Sequence, residues 1–170
     1  MRRPHYILLP ANSFFITITL MLAFFLNLLP WGLSPIVPDF VALVLVFWCI
    51  HQPRKVGIVI AFCLGLLMDV HDATLLGQHA LAYTLLAYVA IMIHRRVLWF
   101  SPFTQALHIL PLLLLTQALQ LVIRMIIHGK FPGWIFFASS FVSFLLWPVL
   151  SWLLLAPQRR AINRDEDRPI

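Results

Sequence analysis

The stretch Val56-Gly-Ile-Val-Ile-Ala-Phe-Cys-Leu-Gly-Leu-Leu-Met-Asp-Val70 decides how the chain reads. It is apolar throughout except for one carboxylate, and its small residues recur at a fixed interval. Gly57, Ala61, Gly65, Asp69 and Ala73 lie four apart, so on an α-helix they share one face. Small residues on one face let a neighbouring backbone come close, which is how helices associate where lipid removes the hydrophobic driving force. The stripe therefore predicts a membrane helix packed centrally in a bundle, with Asp69 turned into the seam. Asp69 sits about 20 Å from the start of this span at 1.5 Å per residue. A charge at that depth costs several kcal/mol on insertion scales, so it needs a reason to be there. The first reading is that it accepts hydrogen bonds from the backbone of a neighbouring helix or loop. A substrate- or proton-binding carboxylate and a partner-facing group are the alternatives.

Working outward, the rest of the chain has the same character. Hydrophobic residues make up 62% of the 170 and charged residues 11%, against roughly 45–50% and about 25% in soluble domains. A soluble fold could not hide that much apolar surface. A soluble enzyme, a secreted disulfide scaffold and a disordered tail are excluded. The expected class is all-α: a polytopic membrane protein with six transmembrane helices in a compact bundle. The spans are Phe14–Leu29, Phe40–Ile50, Val56–Val70, Gln78–Ile93, Phe103–Ile127 and Trp134–Leu155. The second is short of the ~20 residues a crossing needs, so it is expected to borrow Leu33–Pro38, with Pro35 and Pro38 in or before its first turn. His94-Arg-Arg96 is expected to end the fourth, and Pro148 to kink the sixth. Residues 1–157 form one transmembrane domain and 158–170 a polar cytoplasmic tail.

The formal net charge of +6 reports topology rather than nucleic-acid binding. With the N-terminus in the cytoplasm, six spans return the C-terminus to the same side. The inner segments then hold Arg2, Arg3, Arg54, Lys55, Arg95, Arg96, Arg159, Arg160, Arg164 and Arg168, leaving only Arg124 and Lys130 outside. The positive-inside rule thus places both termini in the cytoplasm. The same basic segments could attract anionic membrane lipids.

The fifth span carries Thr116, Gln117, Gln120, Arg124 and His128 within one sector of the helical wheel. The first reading is an interfacial arginine with a glutamine face packed on other helices; the alternative makes Gln117, Gln120 and Arg124 candidates for a groove that receives a partner's transmembrane helix. Ser139 and Ser143 form a small-residue pair on the sixth span. Cys49 and Cys63 lie in apolar runs and read as buried free thiols. The histidines do not cluster, and HExxH, GxSxG, P-loop and dinucleotide motifs are missing from the sequence. No metal, no cofactor and no catalytic set is expected.

Several of these residues together resemble the rod shape-determining protein MreD family. They are Pro38-Asp-Phe-Val-Ala-Leu43, Trp48, Pro53-Arg-Lys-Val-Gly57, Gly65-Leu-Leu-Met-Asp69 through Leu76-Gly77, Ala80-Leu-Ala-Tyr83 and Leu146-Trp-Pro148. The Gly-x-x-x-Asp element of Gly65 and Asp69, followed by Gly77, is the most specific piece. Asp39, Pro53 and Gly77 are the loop residues it singles out. Ala73 stands where the family often has Gly, and Ala tolerates positive φ poorly. The resemblance implies a non-enzymatic component of the bacterial cell-elongation machinery in the inner membrane. It implies association with an MreC-like bitopic protein, and through it with MreB, RodA and RodA's partner transpeptidase. It also implies a fold similar to the substrate-binding subunits of energy-coupling-factor vitamin transporters.

Three functions follow as expectations. The first is a membrane scaffold that helps to organise peptidoglycan synthesis, with Gly57, Ala61, Gly65 and Asp69 as its helix-packing seam. The second is a small-molecule-binding subunit of a vitamin-type transporter, for which Asp69, His71, Asp72 and His79 are the candidate pocket residues. Against it, Phe, Leu and Trp look set to seal the interior. The third is an intramembrane enzyme acting on lipid-linked sugars, for which Asp69 and Arg124 are too thin a basis. A homodimer through small-residue faces fits the sequence as well as a heteromer does.

Overall fold

The computed structural model describes residues 12–31, 36–73, 75–129, 131 and 133–158. Its described residues form six α-helices: α1 (Ser13–Leu28), α2 (Phe40–His51), α3 (Ile58–His71), α4 (Gln78–Val97), α5 (Pro102–His128) and α6 (Ala138–Leu155). A 3-10 turn, Trp134–Phe137, leads into α6. Three helical stretches, Gln78–Val97, Pro102–Ile127 and Trp134–Gln158, are long and apolar enough to cross a membrane. α1, α2 and α3 are shorter, at 16, 12 and 14 residues.

α2 explains much of the architecture. Every residue from Val41 to Ile50 is buried. A helix that is hydrophobic all round belongs in an interior, and α2 lies there, packed chiefly against α1, α4 and α6. The expected borrowing from Leu33–Pro38 does not occur. Pro38 precedes the helix, Asp39 is its N-cap, and residues 32–35 lie outside the described residues. At 1.5 Å per residue α2 is about 18 Å long. It has no need to match the ~30 Å hydrocarbon thickness because other helices enclose it. In its C-terminal half, Trp48 donates its indole N–H to Thr19 Oγ1 of α1 at 2.9 Å, and Phe47 meets Trp147 of α6 with ring centroids 5.9 Å apart.

Around this centre α3 packs on α4, α4 on α5 and α5 on α6. The outer faces are apolar: Phe14, Val59, Val70, Phe103, Ile126 and Leu145 are all exposed. Exposed apolar area on this scale suits a lipid-facing surface. Cys63 is on that outer side and only Cys49 is buried, which corrects the expectation for the second thiol. α4 continues through His94, Arg95 and Arg96 to Val97 rather than stopping before them; cations in a last turn face the negative end of the helix dipole. α5 and α6 run through Pro111 and Pro148. Gln158, read from sequence as the start of the tail, is instead buried in a final 3-10 turn, its amide donating to Leu154 O at 3.3 Å. Residues 159–170 of the expected tail lie outside the described residues.

Candidate functional site: a polar cavity at one end of the bundle

The α3–α4 turn shows why the Gly65, Asp69 and Gly77 spacing exists. A Cβ on Gly65 would lie 2.4 Å from Ala80 Cα and 2.6 Å from Ala80 N, so only glycine allows this approach of α3 to α4. One turn on, Asp69 is fully buried. Its Oδ2 accepts from Gly77 N at 2.7 Å and Ala80 N at 3.3 Å, and its Oδ1 from His79 N at 2.7 Å. Gly77, at φ 109, is the N-cap of α4 and has no side chain with which to cap it. Asp69 supplies that cap from the neighbouring helix. A carboxylate at a helix N-terminus gains from charge-assisted hydrogen bonds and from the helix dipole, which accounts for a buried charge at this depth. The His79 ring adds a fourth contact, Nδ1 to Asp69 Oδ1 at 3.0 Å.

The five-residue stripe from Gly57 to Ala73 is only partly a seam. Ala61 is buried and Gly65 is locked against α4. Gly57 is not: it is the N-cap of α3, and a Cβ there would meet nothing within 4 Å. Ala73 has left the helix and sits at φ 49, so the position where the resemblance favours glycine is a left-handed one.

A second carboxylate organises the neighbouring helix. Asp39 Oδ1 accepts from Ala42 N at 3.0 Å, capping its own helix α2, and from Asn27 Nδ2 at 2.9 Å. Asp39 Oδ2 accepts from the hydroxyl of the buried Tyr83 at 2.6 Å. Asn27 in turn accepts from Phe40 N at 3.0 Å. One side chain thus ties α1, α2 and α4 together. Asp39 and Gly77 lie at this same end of the bundle. Pro53 does not: it is in the turn after α2, at the opposite end, where Gln52 O accepts from Lys55 N at 2.9 Å.

Between these caps and the α5–α6 pair lies a cavity of about 460 Å³. One wall carries Asn27, Asp39, His71, Asp72 and His79; the other carries Thr116, Gln117, Gln120, Arg124 and Ser139, Ser140 and Ser143 of α6. Gln117 and Gln120 therefore turn toward the cavity rather than the outer surface. Gln117 donates to Phe136 O at 3.3 Å and to Ser139 Oγ, and accepts from Ser140 Oγ at 2.6 Å. The hydroxyls of α6 draw the amide inward. The Arg124 guanidinium lies 5.7 Å over the Phe136 ring. On the other wall, Asp72 stands 3.6 Å from His79 Nε2 and 3.8 Å from His71 Nε2. Of the proposed pocket residues, His71, Asp72 and His79 line the cavity, whereas Asp69 lies behind it as a cap. Asn27 and Tyr83 were not singled out from sequence. Asn27 carried a signal, as the lone amide near the end of an otherwise apolar span; Tyr83 carried none beyond its place in the family-like run. Among the described residues no group of three or more His, Cys, Asp or Glu is placed to hold a metal ion.

A bundle of apolar-faced helices, three of them long enough to cross a bilayer, with polar groups gathered at one end, defines a helical membrane protein. The family model described as rod shape-determining protein MreD matches residues 8–156, and the chain belongs to the MreD family. It is 31% identical over 157 residues to the "Rod shape-determining protein MreD" of Haemophilus influenzae (strain ATCC 51907 / DSM 11121 / KW20 / Rd), covering 89% of this chain and 91% of that relative. No solved structure matches the chain. The family is a structural, shape-determining one rather than an enzyme family, and a role in cell shape follows from membership.

Proposed function

We propose that this protein is a non-enzymatic scaffold of the bacterial inner membrane that helps to organise peptidoglycan synthesis during elongation. It does so by helix-on-helix contact with an MreC-like bitopic protein, and through that protein with MreB, RodA and its partner transpeptidase. The observation that carries the reading is the family match over residues 8–156. The build supports it: Asp69 and Asp39 are engaged in holding helices to one another. All six helices thread the bilayer in this reading, with α2 screened from lipid and both termini in the cytoplasm. Ten of the twelve basic residues then lie on the inner side.

Photo-crosslinking from exposed positions around each helix in native membranes tests the partnership. Crosslinks to a protein with one span and a long periplasmic part are the expected result; crosslinks confined to lipid would overturn it. Accessibility tags at both ends test the topology, which fails if they report opposite sides. The rival, a vitamin-type transporter subunit, has the cavity in its favour, and a vitamin co-purifying at stoichiometric level would decide for it.

A further inference from the structure

We infer that the cavity between the α3–α4 turn and the α5–α6 pair is a binding site for a neutral, hydroxyl- and amide-bearing ligand of the sugar type. Its volume of about 460 Å³ falls within the ~300–1,000 Å³ of small-molecule sites. Its lining sets the charge of the occupant. The N-termini of α2 and α4 both point to this end and would ordinarily attract an anion. Each is already held by a carboxylate, Asp39 and Asp69. Asp72 adds a further negative charge to the wall. Among the described lining residues an anion meets one guanidinium, that of Arg124, against these. A cation meets Asp39, which already accepts from Asn27, Ala42 and Tyr83, and Asp72, which stands between two imidazoles.

What remains is a wall of amides and hydroxyls. Gln120 is 7% exposed and lines the cavity, and its side-chain amide makes no hydrogen bond among the described residues. An amide offers two donors and an acceptor, and this one is open to the cavity, so a hydrogen-bonding ligand has groups to meet there. At the rim, Trp31 is 48% exposed while its indole N–H is fixed on Leu26 O at 2.7 Å. A pinned, half-exposed indole offers a flat apolar face to the C–H side of a sugar ring. The ligand is either a free sugar or the headgroup of a glycolipid. The site is additional to the scaffold role and does not depend on it.

The test uses the full chain in phosphatidylcholine nanodiscs, with the thermal midpoint as readout, since a ligand that binds only the folded state raises it. The probes are N-acetylglucosamine, octyl glucoside doped into the disc, glucose 6-phosphate and choline. The expected result is a rise with N-acetylglucosamine or octyl glucoside and none with the phosphorylated sugar or choline. A rise with octyl glucoside alone assigns a glycolipid; a rise with N-acetylglucosamine assigns a free sugar. Gln120→Leu, which breaks no side-chain hydrogen bond among the described residues, should weaken the response at least tenfold in apparent affinity. Trp31→Ala serves as the second variant. The proposal is overturned if no neutral sugar shifts the midpoint, if glucose 6-phosphate or choline shifts it as much, or if both variants respond like the wild type.

Discussion

The α3–α4 seam and the α5–α6 seam flank the same cavity but are joined differently. α3 meets α4 backbone to backbone at Gly65 and Ala80, and a buried carboxylate closes the end of the contact. α5 meets α6 through side chains, an amide shared among Ser139, Ser140 and a carbonyl. The first arrangement has no slack, because nothing in it can rotate out of the way. The second can exchange partners with water or a ligand, because hydroxyls and amides re-pair by turning. The molecule thus sets one fixed wall against one adaptable wall.

The largest effect should come from the fixed wall. Gly65→Ala forces a methyl into Ala80 and should cost about 1–3 kcal/mol, the range for overpacking a tight contact, seen as a lower thermal midpoint. Gly57→Ala, with open space at its Cβ, is the matched control and should leave the midpoint in place. Equal midpoints for the two variants would mean that α3 and α4 are not in backbone contact. The adaptable wall should give less. Gln117→Leu removes three hydrogen bonds, but the groups left behind line a cavity that water can enter. The loss should be about 1 kcal/mol, the net worth of an ordinary hydrogen bond, in a denaturation curve. A loss as large as that of Gly65→Ala would erase the distinction. The smallest effect has the opposite sign. Ala73 sits at φ 49, and a left-handed residue other than glycine carries roughly 1–2 kcal/mol of strain. Ala73→Gly should raise the midpoint slightly, after the added freedom of the unfolded chain is subtracted.

The sequence made the fixed wall legible and the adaptable one not. Glycine and aspartate are conspicuous in an apolar run, and their four-residue spacing names a helix face directly. The stripe overreached at Gly57 and Ala73 because spacing alone does not say where a helix begins and ends. Gln117 and Gln120 were visible as a polar face, but which way that face turns depends on serines some twenty positions later. The short second span was misread because length was compared with bilayer thickness, a test that holds only for helices touching lipid. The cavity was invisible, since it is a property of where several helix ends stop relative to one another. Tyr83 joined the site through Asp39, and Asn27 through Asp39 and its place on the cavity wall, a contact between three helices that no local pattern encodes.

The enclosed position of α2 has a consequence for biogenesis. The chain is made from its N-terminus, so the segment at the heart of the protein leaves the ribosome before two of the three neighbours that will surround it. Until α4 and α6 follow, this stub of a helix is housed on one side only, by α1, and its capping aspartate waits for a tyrosine not yet synthesised. Nascent chains cut short before the fourth helix should accordingly be prey for membrane quality control, however oily they are.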